Sequence, residues 1–295
     1  FGAAVLRNPE ETYGDHLVTD WAIEQMKEPG NKPLFLAVGL FRPHIPWEVP
    51  QRWFDLYPLD EVKLPEHRPD DLMDAHSHGR QGWHKWVTDN KQWKKFMQGY
   101  LASISYVDHQ LGRLLDALDA SPMKDNTIIV LWSDHGFHLG EKQHWAKRTL
   151  WEESTRVPLL FAGPAIKPGK TCPEPASLLD IYPTLVELCK LPANPHLEGL
   201  SLVPQLSEPT TPRDRPAITS SYFGNHSIRS RDWRLILYQD GARELYDHRT
   251  DPDEFHNLAD DPAHQAICDQ LSRWLPKEAA AEFKAKSERS RVREK

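Results

Sequence analysis

Four residues of this chain have the side-chain types that bind a cation and an oxyanion. Asp134 and His135 close the apolar run Thr127 to Trp132, TIIVLW, and Gly136 follows them. His44 lies between Pro43 and Pro46, shortly after a second apolar run, PLFLAVGL, from Pro33 to Leu40. Lys147 stands thirteen positions after Asp134, in a loop that can fold back over the same strand end. A carboxylate offers a hard anionic oxygen and a neutral imidazole offers a nitrogen. By ligand type alone the Asp134–His135 pair suits zinc or iron better than calcium, which prefers oxygen. Two ligands do not complete a site, so at least two more have to come from elsewhere. His44 and Lys147 could hold an oxyanion, one through a hydrogen bond and the other as a point charge. The plainer reading is a strand running into a turn at SDHG, a solvated lysine and a loop histidine.

Other chemistry-bearing residues are weaker. His76, His78 and His84 in DAHSHGRQGWHKW have metal-like spacing, but a polar loop explains them as well. Trp47, Trp145 and Trp151 could stack on a sugar, with burial as the default. His138, Lys142 and Trp151 are candidate pocket residues.

The elements that must position these groups follow from periodicity. Asp15 to Met26 reads as a short amphipathic helix, broken by EPGNKP. PLFLAVGL is bounded by turn signals and suits a strand buried on both faces. The stretch from about 51 to 90 is polar, irregular and rich in His and Trp. A long helix then places Phe96, Tyr100, Ile104, Val107, Leu111, Leu114 and Leu118 on one face. The strand TIIVLW starts at Thr127, VPLLFAG starts another at Val157, and a helix carries Leu178 to Leu188. Strands alternating with helices predict an α/β fold with a mostly parallel sheet between helices, and in such sheets ligands gather at the strands' carboxyl ends. After Leu206 the pattern changes. EPTTPRDRP reads as a linker, and AITSSYF, WRLILYQ and RELYDH read as a small antiparallel sheet closed by a helix near Pro262 to Trp274. The divisions are 1–206 for the catalytic part, 207–276 for a C-terminal α+β subdomain and 277–295 for a charged tail.

Bulk properties narrow the function. The chain has 295 residues and a net charge of 36 − 43 = −7, which argues against a general nucleic-acid binder. No apolar run approaches the roughly 20 residues that a membrane span requires. Three cysteines, Cys172, Cys189 and Cys268, are too few for a disulfide scaffold and match no zinc-ribbon spacing.

The segment WSDHGFHLGEKQHWAKRTLWEESTRVPLLF strongly resembles the second signature region of the sulfatases of the alkaline phosphatase superfamily. With FRPHIPW, SLLDIYPTLVELCKLP, LEGLSLVPQL and RSRDWRLILYQDGARELYDHRTDPDEFHNLADDP it is most similar to the iduronate sulfatase branch, and the likeness runs from about Glu11 to Pro262. What the resemblance implies is an alkaline phosphatase-like fold and a type I sulfatase that hydrolyses a sulfated sugar or related organic sulfate. It implies Asp134 and His135 as ligands of one divalent cation, normally calcium, against the preference from ligand type. It implies His44 and Lys147 as catalytic groups that contact the sulfate, with His138 beside them in substrate binding. The family's nucleophile is a formylglycine made from cysteine in C-x-P-S-R or a similar motif. None of the contexts TCPEP, ELCKL and AICDQ matches it, nor are the family's other acidic metal ligands here. The expectation is an N-terminally shortened member, inactive alone, in which PLFLAVGL and TIIVLW present unpaired apolar edges. Family members are commonly periplasmic, extracellular or lysosomal. A phosphate or phosphonate ester hydrolase of the same superfamily, or a non-catalytic glycan-binding remnant, are the alternatives.

Overall fold

A computed structural model describes residues 2–27, 30–76 and 81–278. His78 and the tail from 279 onward lie outside the described residues.

The first core forms around β1 (Ala3–Leu6), helix α1 (Gly14–Lys27), β2 (Trp47–Pro50) and α2 (Gln51–Phe54). β1 and β2 pair in parallel, Ala3 opposite Trp47 and Leu6 opposite Pro50. Helix α3 (Gln81–Asp89) follows, and then the 27-residue α4 (Trp93–Asp119) packs across the β1–β2 pair. Gly99 makes this approach possible, since a Cβ there would stand 2.5 Å from the Ala3 Cβ. Trp47 is fully buried, sets its ring edge-on to Phe96 at 5.7 Å and donates Nε1–H to the Pro43 carbonyl at 3.0 Å. Helix α4 buries Phe96, Ala102, Tyr106 and Leu118, whereas Ile104, expected on its inner face, is exposed.

β3 (Ile129–Trp132) leads to the short pair β4 (His138–Leu139) and β5 (Trp145–Ala146), then to α5 (Glu152–Thr155) and β6 (Leu159–Ala162). β6 runs antiparallel to β3, and β5 antiparallel to β4. Helices α6 (Ile181–Leu188) and α7 (Val203–Ser207) lead to the C-terminal strands β7 (Ala217–Ser220), β8 (His226–Arg229), β9 (Trp233–Leu237) and β10 (Arg243–Asp247), and α8 (Gln265–Ser272) ends the described chain. These four strands form an antiparallel sheet in the order β10-β9-β8-β7. One of its faces packs Ile228, Leu235 and Leu245 on Cys268 and Leu271 of α8. The other presents Ile236, Tyr238 and Tyr246 to Leu150 and Trp151. That second contact fixes the C-terminal sheet to the loop that carries Lys147.

The α/β class and the small antiparallel C-terminal subdomain agree with the periodicity. Two expectations change. Among the described residues, parallel pairing is confined to β1 and β2. Residues 33–40 form no strand, and Leu34 and Phe35 are exposed, because no neighbouring strand among the described residues supplies hydrogen bonds to them. The stretch read as irregular between 51 and 90 contains α2 and α3. No described helix is long and apolar enough to cross a membrane.

Arg234 on β9 is the buried tie between sheet and core. Its guanidinium donates to Glu254 at 2.5 Å, to Glu152, to the Ser227 hydroxyl at 2.6 Å and to the Leu150 carbonyl at 3.1 Å. Removing one partner of a buried ionic network leaves an uncompensated charge behind. Arg234→Ala is therefore expected to destabilise the fold by about 3–5 kcal/mol, read as a lower denaturation midpoint in urea. A loss below about 1 kcal/mol would mean that water already solvates Glu254 and Glu152.

Candidate active site

β3 delivers Ser133, Asp134, His135 and Gly136 in succession. The Ser133 hydroxyl donates to the His135 carbonyl at 3.0 Å, and the Gly136 N–H donates to the Ser154 carbonyl at 2.9 Å. Gly136 is needed for proximity: a Cβ there would collide with the Glu153 carbonyl oxygen. The segment is thereby pinned to α5. His135 Nδ1 lies 2.8 Å from the Gly136 carbonyl, which can only accept, so Nδ1 carries a proton and Nε2 is the nitrogen left for another partner. That Nε2 is 3.6 Å from Asp134 Oδ2, and the Asp134 side chain is 83 % exposed.

His44 is set by a different clamp. Asp15, buried on α1, accepts from the Phe41 N–H at 2.6 Å and the Arg42 N–H at 3.1 Å. Arg42 in turn donates to the Glu48 carbonyl from Nε and Nη2, at 3.1 and 2.8 Å. His44 Nδ1 donates to the Ile45 carbonyl at 2.7 Å, leaving Nε2 to accept from Lys147 Nζ at 3.1 Å. Lys147 comes from a loop anchored on both sides. Before it, Trp93 donates to the Leu139 carbonyl at 2.7 Å, and its ring occupies the space a Cβ on Gly140 would need. After it, the Thr149 hydroxyl pairs with His138 Nε2 at 2.7 Å. Asp134, His135 and Lys147 line one open cleft of about 1690 Å³, between the β3–β6 pair and the C-terminal sheet.

Other expected residues do other work. His138 is fully buried, so it is not on the substrate surface. Burial and the neighbouring His144 push its pKa down to about 3. Lys142 is buried against Asp71 at 2.7 Å, also donates to the Glu254 carbonyl, and faces the rings of Trp151, Tyr246 and Phe255. Trp151 is buried and donates to Glu244 at 2.7 Å; Trp47 and Trp145 are buried too. His76 packs on Tyr238 and His84 accepts from Trp145 Nε1 at 3.4 Å, so these two histidines serve separate contacts. The physical reason is that a loop without periodicity does not show which side of it a side chain takes.

Sequence reading missed the Asp15 clamp and a second set of potential ligands. Glu152, His248 and Glu254 bring donor atoms within 4.8 Å of one another. Arg234 already occupies that cluster, bonding Glu152 and Glu254, while His248 lies 2.9 Å from Glu254. Burial alone pushes the Glu254 pKa up, but Arg234 and His248 outweigh it and bring it down to about 2. A cation would have to displace the guanidinium. The Asp134–His135 pair fits better: it has a ring nitrogen with no backbone partner, an exposed carboxylate, and a spacing matching neighbouring donors on one ion with bonds of roughly 2.3–2.6 Å.

Residues 4–191 match the Sulfatase family model, and residues 140–281 match that of N-sulphoglucosamine sulphohydrolase, C-terminal. The chain belongs to the sulfatase family. It is 43 % identical over 270 residues to a sulfatase of Formosa agariphila, across 89 % of this chain and 53 % of that protein. It is 30 % identical over 359 residues to the iduronate 2-sulfatase of Homo sapiens, across 87 % of this chain and 64 % of that protein. The phosphonate monoester hydrolase of Silicibacter pomeroyi shares the fold, with a TM-score of 0.77 and 23 % identity over 90 % of this chain and 60 % of the solved one. The chain thus spans between half and two thirds of the length of these proteins.

His138 provides a pH test of the geometry. In the unfolded chain its imidazole titrates near 6.5, and in the fold it stays neutral down to about 3. Between these values the unfolded state binds the extra proton, so stability falls as pH drops below about 6.5. His138→Gln should flatten this fall between about pH 6.5 and 5, measured by urea unfolding at several pH values. Parallel pH slopes for the two proteins would show that His138 is open to solvent.

Proposed function

We propose that this chain is part of a sulfuric ester hydrolase acting on a sulfated sugar, with Lys147 and His44 as its catalytic groups. The observation that carries the reading is the 3.1 Å contact of Lys147 Nζ with His44 Nε2 beside a cleft that Asp134 and His135 also line. A sulfate monoester is a tetrahedral anion whose cleavage moves charge onto oxygen. Protein groups accelerate it by positioning and by placing positive charge where the negative charge grows. Lys147 supplies a mobile ammonium with three donors. His44, with Nδ1–H held by the Ile45 carbonyl, presents Nε2 to the same place. Lys147 donates towards His44 and keeps its other N–H groups for a sulfate oxygen, from where it can supply a proton to the departing alkoxide.

Asp134 and His135 would hold the divalent cation, calcium by family resemblance; when bound it withdraws charge from the sulfate oxygens. The nucleophile is assigned to no residue of this chain. Cys268 is buried against α8 and Cys189 is exposed beside α6. Cys172 lines the cleft, but Thr171-Cys172-Pro173-Glu174-Pro175 lacks the motif that precedes formylglycine formation. The reading therefore places the formylglycine in another segment of a longer enzyme. A sugar substrate is supported by the sulfated sugars named in two of the matches.

The test compares this chain with a version joined to a segment that carries the cysteine motif, on paired sulfate and methylphosphonate esters of one phenol. Only the joined protein should turn over the sulfate ester, and calcium chelation should abolish that turnover. Lys147→Ala and His44→Ala should each lower kcat/KM about 10²–10³-fold. Faster cleavage of the phosphonate would move the assignment to phosphonate hydrolysis. Sulfate release by this chain alone would place the nucleophile within it.

A further inference from the structure

The backbone around Lys147 is held in an unusual state. Lys142, Gln143, Ala146 and Arg148 all have positive φ, at 53°, 48°, 76° and 80°, although none is glycine. Such conformations are strained for residues with a Cβ and persist only where surrounding contacts hold them. Three of the four have a visible return. Lys142 is bonded to Asp71, Gln143 donates to the Pro69 carbonyl at 3.0 Å, and Ala146 pairs with His138 across the β4–β5 ladder. Arg148 has none. Its side chain is exposed and makes no hydrogen bond or ion pair with any described residue. Its neighbours fix its position, Lys147 on His44 and Thr149 on His138, and it lines the same cleft as Asp134, His135 and Lys147.

Glycine would fit φ +80° without strain. An arginine there, with no hydrogen bond or ion pair to a described residue, is available to a group from outside the chain. We infer that Arg148 is a specificity-determining residue that binds a second anionic group of the substrate, a carboxylate or a further sulfate, next to the sulfate held by Lys147. This rests on the sulfatase reading given above. A guanidinium presents a flat fork of N–H donors that matches either anion in bidentate fashion. Several other cations of the cleft are already engaged: Arg213 pairs with Asp180 at 2.6 Å, Arg229 with Glu152 at 3.3 Å, Arg231 with Glu174 at 3.7 Å and Lys167 with Glu208 at 2.8 Å. Arg148 is adjacent in sequence to Lys147 and remains uncommitted. The substrate class it selects is a sugar carrying at least two negative charges, and a neutral sugar monosulfate should bind less well.

The experiment is calorimetric titration of this chain, in calcium at fixed ionic strength, with three disaccharides: a neutral monosulfate, the same sugar with a second sulfate, and a monosulfate that carries a uronate carboxylate. The wild-type chain should bind at least one doubly anionic sugar about tenfold more tightly than the monosulfate, and the larger ratio identifies the second group. Arg148→Gly should reduce that ratio below about twofold, by weakening the doubly anionic sugars more than the monosulfate, and keep or raise the melting temperature. Arg148→Lys should retain an intermediate ratio. The inference is overturned if the wild type shows no preference, if Arg148→Gly keeps it, if all three sugars weaken equally, or if the glycine variant melts well below the wild type. Lys147→Ala should weaken every sugar alike; if it weakens none, the sulfatase reading fails, while the ratio still judges Arg148 separately.

Discussion

The hydrogen bond from Lys147 to His44 joins two loops that are far apart in sequence, and the candidate site exists only while both are held still. Neither loop has a regular ladder through its functional residue. Each is immobilised by a buried polar group: Asp15 clamps the backbone of Phe41 and Arg42, while the loop of Lys147 is tied at Trp93, Lys142 and Thr149. A carboxylate that accepts two backbone N–H groups contributes charge-assisted bonds, stronger than neutral ones. The site is thus positioned by individual polar contacts more than by the sheet that delivers Asp134 and His135.

Those contacts depend on the C-terminal sheet. Lys142 reaches the Glu254 carbonyl, Glu254 holds Arg234, and Arg234 holds Glu152 at the start of α5. Through Ser154 and Gly136 the same helix meets the strand end at Asp134. A network of this kind is weak evidence for stability, because desolvating its charges consumes most of their attraction. Its value lies in geometry. Each member has one arrangement that satisfies its donors and acceptors, so the subdomain carries positional information into the cleft. This explains why the C-terminal residues contribute to an active-site architecture whose candidate reacting groups all precede residue 150.

Asp134, His135, His44 and Lys147 could be proposed from the sequence because their chemistry sits at places where chain geometry is readable. Asp134 and His135 follow an apolar run, His44 follows a proline-fixed turn, and Lys147 is within folding distance of both. His138, Lys142 and Trp151 were misread because a loop without periodicity gives no inside or outside. PLFLAVGL was misread as a strand because a run of apolar residues specifies burial or pairing only when a partner is beside it. Asp15 gave no signal at all: an acidic residue in the first turn of a helix is ordinary, and its second role depends on a turn 26 residues later. Arg148 lay in plain sight, but its meaning came from a backbone angle.

The two histidines of the site show how one local device serves two chemistries. In each, Nδ1–H is spent on the carbonyl of the very next residue, Ile45 or Gly136, so that Nε2 is the nitrogen left exposed as a lone pair. What then distinguishes them is only the group set opposite. His135 faces a carboxylate 3.6 Å away, a pairing that suits a cation in the proposed reading. His44 faces an ammonium, which satisfies the lone pair directly and leaves the ammonium's other protons for an anion. One imidazole and one exposed carboxylate leave the choice of cation to the remaining ligands, and oxygen ligands among them would favour the harder calcium of the proposed reading over zinc.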